Sequence, residues 1–142
     1  MKTLSPSLKF FLNLAKVQAV TTRRFDASLN GLGLTEFMIL FHLSQAEHEK
    51  MRRIDLADKV GLTASGITRL LAPMEKIGLV QREANAHDAR VSFVVLAPGG
   101  KNKLFDSIER AELLSADLLP DSAQKKIEKL SELLAEMGGG IL

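Results

Sequence analysis

Thr63, Ala64, Ser65, Thr68 and Arg69 form a cluster of small, polar and cationic residues, and a second polar run ends in Asp88-Ala89-Arg90. Hydroxyls donate or accept hydrogen bonds at base edges and phosphates, and a guanidinium binds guanine or a phosphate through two parallel bonds. Small neighbouring side chains permit close approach to a surface. These residue types suit polar recognition and suit turnover poorly. His42, His48 and His87 are accompanied by many carboxylates, but there is no nucleophile elbow, P-loop or H-E-x-x-H. His87-Asp88 falls in a polar loop, a poor place to fix a base. No enzymatic activity and no cofactor are expected, and three scattered histidines do not make a metal site. The chain has no cysteine, so a disulfide framework, a thiolate metal site and a cysteine redox sensor are excluded.

The elements that must position these residues are legible around them. Thr63 precedes a helical run whose inward face is Ile67, Leu70, Leu71, Met74 and Ile77, leaving Ser65, Thr68, Arg69, Ala72 and Lys76 outward. The N-terminus of that helix also favours phosphate. Pro73 conflicts with an uninterrupted helix, because it removes the hydrogen bond to the Arg69 carbonyl at a cost of roughly 3 kcal/mol. A kink near Arg69 is predicted; the alternative is that Pro73 ends the helix. Upstream, Met51 to Arg53 reads as a short strand, and Ile54, Ala57 and Val60 mark a two-turn helix that Gly61 ends. Downstream, Gly78 closes the helix. Two strand-like runs, Leu79 to Glu83 and Val91 to Leu96, then flank the polar stretch Ala84 to Arg90, a hairpin with a long tip. Two short helices joined by Gly61-Leu62-Thr63 match a helix-turn-helix, and the hairpin after them gives the order of a winged helix. Singly, Thr63 also reads as an ordinary cap, Ser65 and Thr68 as solvated positions and Arg69 as a surface charge. Their joint arrangement points to duplex DNA.

A chain of 142 residues is the size of one domain. Apolar residues recur at helical spacing from Pro6 to about Leu29, and Asn30-Gly31-Leu32-Gly33 stops that helix. Thr35 is expected to cap a second helix with a buried stripe of Phe37, Leu40, Phe41 and Ser44, followed by a loop from Gln45 to Lys50. Pro98-Gly99-Gly100 opens a helix carrying Leu104, Ile108, Ala111 and Ser115. Pro120 opens the last one, carrying Ala123, Ile127, Leu130, Leu134 and Met137, and Gly138 to Gly140 reads as a frayed end. The fold class is mainly α with a small β-hairpin wing (α+β). Residues 1–142 are one unit, with a DNA-binding lobe over 31–97 and helical regions over 1–30 and 98–142. The apolar stripes of those flanking helices exceed what a small lobe covers, so they need a partner surface. The formal net charge of +2 is only a weak pointer to an anionic partner. No membrane span or export signal is visible, and a cytoplasmic location is expected.

The run GLTASGITRLLAPMEKIGLVQREANAHDARVSFVVLAPGGK resembles the MarR family of transcription regulators, and the resemblance extends over most of the chain. The family pattern of an arginine, an aspartate and arginine two apart, then leucine and glycine maps onto Arg82, Asp88, Arg90, Leu96 and Gly100. Ala89 stands where a second arginine is frequent, and Ala97 where a capping threonine is expected. The resemblance implies that Arg90 enters a minor groove while Asp88 orients it or holds the wing. A narrow groove concentrates negative potential that a guanidinium exploits. The alternative is an exposed Asp88–Arg90 ion pair worth at most about 1 kcal/mol. It further implies a homodimer built from the terminal helices, binding a pseudo-palindromic operator with half-sites roughly 10 base pairs apart. Repression, relieved by a small aromatic effector in the crevice between dimer helices and DNA-binding lobe, follows from the same resemblance. Phe11, Arg23, Met38 and His42 are candidates near that crevice, although Phe11 and Met38 also read as core and His42 as a surface or hydrogen-bonded histidine. A ligand-independent regulator, and a winged helix used for protein contacts with Arg69 and Arg90 as rim charges, are the competing readings.

Overall fold

The computed structural model describes residues 2–88 and 90–141; Ala89 and the two ends of the expected 1–142 unit, Met1 and Leu142, lie outside them. Helix α1 (Pro6–Ser28) starts on Ser5, whose hydroxyl accepts from the Leu8 N–H at 3.1 Å, and on Pro6, whose missing N–H costs nothing at a helix start. Asn30 and Gly31, at φ of 54° and 87°, reverse the chain. Helix α2 (Leu34–Gln45) then begins ahead of Thr35, which is therefore not its cap. Two carboxylates do the capping: Gly33 N–H donates to Glu36 Oε1 at 3.2 Å, and Leu34 N–H donates to Asp26 Oδ1 at 2.7 Å. Asp26 belongs to α1, so this cap arises only when the two helices meet.

After a 3₁₀ turn over Glu47–Glu49 come β1 (Lys50–Arg52), α3 (Arg53–Val60) and α4 (Ala64–Lys76). Strands β2 (Val80–Ala84) and β3 (Ser92–Leu96) follow, then α5 (Pro98–Leu118) and α6 (Ile127–Leu134). The sheet is antiparallel in the order β1-β3-β2, with Arg52 opposite Phe93 and Ala84 opposite Ser92. The expected hairpin thus gains a third strand from the segment ahead of α3, and both its strands begin one residue later than expected. The core is formed by Leu29, Leu32, Ile39, Leu40, Leu43, Leu56, Ile67, Leu71 and Met74, all essentially without solvent exposure. Because α2 meets α1, α3, α5 and the sheet, it is buried on more than one face. Ile39, His42 and Leu43 join Leu40 inside, while Phe37, Phe41 and Ser44 are only half-buried.

Three expected core residues lie outside. Ile54 is 65% exposed because Leu56 and Ala57 occupy the inward face of α3. Ile77 is 69% exposed, since it caps α4 beyond the last helical turn, just before Gly78 turns the chain at φ 79°. Ile108 is exposed, and Ser107 is buried instead, its hydroxyl donating to the Lys103 carbonyl at 2.7 Å. The last helix is shorter than predicted: a 3₁₀ turn at Asp121–Ala123 precedes α6, and a π-helical turn over Ala135–Gly139 follows it. Gly138, inside that turn, takes φ 100°, as glycine can without a Cβ clash. Pro73 does not end α4, which runs through it to Lys76.

Candidate nucleic-acid interface

The helix-turn-helix is set by two local devices. Gly61 takes the left-handed conformation at φ 73°, which only glycine adopts freely, and ends α3. Two residues later Thr63 caps α4, its Oγ1 accepting from Gly66 N–H at 3.1 Å. With Ile67, Leu71 and Met74 buried, α4 turns Ser65, Thr68, Arg69, Ala72 and Lys76 to solvent, the outward set read from the sequence. These residues differ in what they have left to offer. Thr63 and Ser65 hydroxyls lie 3.3 Å apart and share a hydrogen bond. Thr68 Oγ1 donates to the Ala64 carbonyl at 3.0 Å and accepts from Arg53 Nη1 at 3.0 Å. Its one proton is therefore committed within the protein. Arg69 is exposed, and among the described residues no carboxylate lies within ion-pairing distance of it.

The wing has a defined end. Asp88 Oδ1 accepts from the Arg90 backbone N–H at 3.0 Å and from Arg90 Nε at 3.2 Å. The paired guanidinium beside it holds the Asp88 carboxyl below its ordinary pKa, through the side-chain bond first and the backbone bond second. Arg90, with its side chain 91% exposed, is held outward on a short leash by that pairing. The exposed ion pair, one of the two alternatives drawn from the sequence, is present, and it leaves the Arg90 side chain facing solvent. Arg82 approaches Glu75 at 3.7 Å, which links the base of the wing to α4.

Arg53 was not among the expected site residues. It begins α3, fifteen positions from the Thr68 hydroxyl it reaches. Beside it Arg52 forms a two-pronged pair with Asp55, Nε to Oδ2 at 2.9 Å and Nη2 to Oδ1 at 3.3 Å. Arg52, Arg53 and Arg90 line one cleft together with Ile54, Val91 and Ser92. The available signal was an arginine pair where a helix start ordinarily carries Ser, Thr, Asp or Asn.

The four crevice candidates are not brought together. Met38 is half-buried and lines a cleft of about 320 Å³ with Asp58, Lys59, Val60, Gly61 and the segment Gly138 to Ile141. Phe11, 53% exposed on α1, Arg23 and His42 do not line it. His42 is neither a surface nor a satisfied histidine: it is buried at 6% exposure, edge-on to Phe41, and its Nε2 has no hydrogen-bond partner among the described residues. Loss of solvation pushes its pKa below 6.5, and the Lys59 charge adds to the shift.

The sequence model of the MarR family matches residues 32–92, the span from just ahead of α2 to the first residue of β3. An uncharacterized HTH-type transcriptional regulator, YdgJ, from Bacillus subtilis (strain 168) is 25% identical over 137 residues, covering 96% of this chain and 82% of its own. A probable transcriptional regulator from Pseudomonas aeruginosa has a similar crystal structure, with 25% identity, a TM-score of 0.79 and coverage of 93% of this chain and 97% of that one. The fold is also that of a MarR family regulator from Streptomyces coelicolor solved in complex with DNA, at 21% identity and a TM-score of 0.74, covering 96% of this chain and 91% of that one. These relatives are transcriptional regulators rather than enzymes. The helix-turn-helix, the wing pair Asp88–Arg90 and the matched sequence span agree with one another: over residues 32–92 the chain is similar to the MarR family.

Proposed function

We propose that the chain is a homodimeric, sequence-specific regulator of transcription that binds double-stranded DNA, acting as a repressor in the cytoplasm. Helix α4 enters the major groove with Ser65 and Arg69 at base edges, and Thr63 and Ala64 close to the backbone. Thr68 supports the helix, and Arg90, braced by Asp88, enters the adjacent minor groove. The observation that carries this reading is the exposed α4 face bearing an unpaired Arg69, next to a wing whose arginine is held outward. Exposed apolar side chains on the flanking helices, among them Leu8, Phe11 and Leu12 of α1, Leu113 of α5 and Leu130 and Leu134 of α6, supply the dimer surface. The Met38 cleft, at about 320 Å³, has the size of a small-molecule site and suits a small aromatic effector.

A duplex selected from random DNA by the purified chain tests the reading. Binding is expected to weaken linearly in log–log form with salt, with a slope of about −0.9 per phosphate neutralised. Salt-insensitive binding, or no duplex selected, overturns it and favours a surface for protein contacts.

A further inference from the structure

The start of α3 and the foot of the wing converge on a cleft of about 200 Å³ lined by Arg52, Arg53, Ile54, Arg90, Val91 and Ser92. Three guanidinium groups here face two paired carboxylates, Asp55 and Asp88, so the cleft keeps a positive excess. Each arginine is already oriented by a bond that leaves donors free. Arg52 and Arg90 use Nε and Nη2 on their aspartates, and Arg53 uses Nη1 on Thr68. A guanidinium has five N–H donors, so each retains at least one unused edge for an anion. Ile54, mostly exposed at the cleft, has no core role to explain it and offers an apolar contact of the kind a deoxyribose makes.

We propose that Arg52 and Arg53 clamp one backbone phosphate of the duplex in each protomer, with Arg90 forming the far wall of the cleft on its way to the minor groove, and that Arg53 relays the position of that phosphate to α4 through Thr68. This rests on the DNA-binding reading above. If α4 occupies a major groove and Arg90 the neighbouring minor groove, the strand that separates the two grooves must cross between them. The arginine cleft lies in that path, with one wall on the wing and one arginine bonded to α4. Phosphate contacts fix register and orientation, while base contacts carry sequence. Arg53 joins the two functions by touching both.

The test uses the full chain and the duplex it selects. Arg52→Gln/Arg53→Gln is expected to reduce the magnitude of the salt slope by about 0.9 per protomer, roughly 1.8 for a dimer on two half-sites. Arg52→Gln alone, at an exposed position, reads the same effect if the double variant fails to fold. A single methylphosphonate, placed in turn along the strand between the grooves, is expected to find one position that weakens the unmodified protein and leaves the double variant unaffected. Thr68→Val is expected to keep the salt slope while lowering, several-fold, the preference for the selected duplex over random sequence. An unchanged slope in both arginine variants, or methylphosphonate effects that simply add to theirs, overturns the clamp. Unchanged preference in Thr68→Val overturns the relay. Absence of salt-dependent binding by the unmodified chain overturns the DNA-binding reading itself, and is separable from either result.

Discussion

Thr68 and Arg69 are adjacent, outward-facing and of kinds that read DNA, yet the structure gives them different work. The Thr68 hydroxyl donates to Ala64 and accepts from Arg53, so it has no proton for a base, whereas Arg69 is exposed and keeps its donors. Arg69→Ala should therefore relax discrimination at one position per half-site by roughly 1 to 3 kcal/mol, measured on duplexes carrying single base changes. Arg90→Ala should weaken all duplexes together, since a groove-width contact carries no unique base pattern. Equal loss at every position in Arg69→Ala would move it from base reading to phosphate binding. His42 gives a pH prediction. Its folded-state pKa lies below 6.5, so the unfolded chain takes up a proton more readily and stability falls as the pH drops from 6.5 toward the lowered value. Denaturant unfolding should show that loss in the unmodified protein and not in His42→Leu. Above 6.5 the substitution should cost little, because it removes a buried Nε2 that has no partner among the described residues. The candidate site was legible where it depended on neighbours in sequence: Thr63 as cap, and the outward set of α4. Arg53 was missed, and the surroundings of His42 misjudged, because both depend on side chains from other elements.

At the scale of elements, the junction between the wing and α5 is the tightest. The Leu79 carbonyl accepts from Ala97 N–H at 3.1 Å, and Gly100, one turn into α5, lies buried directly against it. A Cβ at Gly100 would overlap the Leu79 carbonyl and crowd Leu96 Cδ1 at 3.0 Å. Gly100→Ala is expected to destabilise the fold by about 3 kcal/mol or more, the upper range for overpacking, seen as a lowered denaturation midpoint. Gly99→Ala has less to displace inside the core, being exposed, though its Cβ meets the Gly78 carbonyl at 2.8 Å. The same junction explains how α5 tolerates Ala97 without a side-chain cap: Pro98 fixes the first turn, and Lys101 N–H still bonds the Ala97 carbonyl at 3.0 Å. Helix α2 was read from the sequence with its boundary at Thr35; one of its two capping carboxylates, Glu36, is local, but the other, Asp26, reaches it from α1 and could not be found there.

For the whole molecule, the division of labour follows exposure. The lobe around α2 to β3 holds the core, and the large exposed apolar side chains gather mostly on α1, α5 and α6. Light scattering at micromolar concentration should report a dimer, and a monomer would overturn the assignment of those faces. Among the described residues no helix is long and apolar enough to cross a membrane, so a lipid surface does not account for these stripes as a span. The sequence by itself determined the order of elements, the helix-turn-helix and the existence of the wing, because caps, glycine turns and hydrophobic period are local properties of the chain. It also carried the resemblance to the MarR family, through the pattern from Arg82 to Gly100. Only the tertiary structure decided which polar groups stay free to recognise a partner. Whether a hydroxyl or guanidinium is already bonded depends on residues distant in sequence, as Arg53 and Thr68 are, and whether a histidine keeps its water depends on everything packed around it.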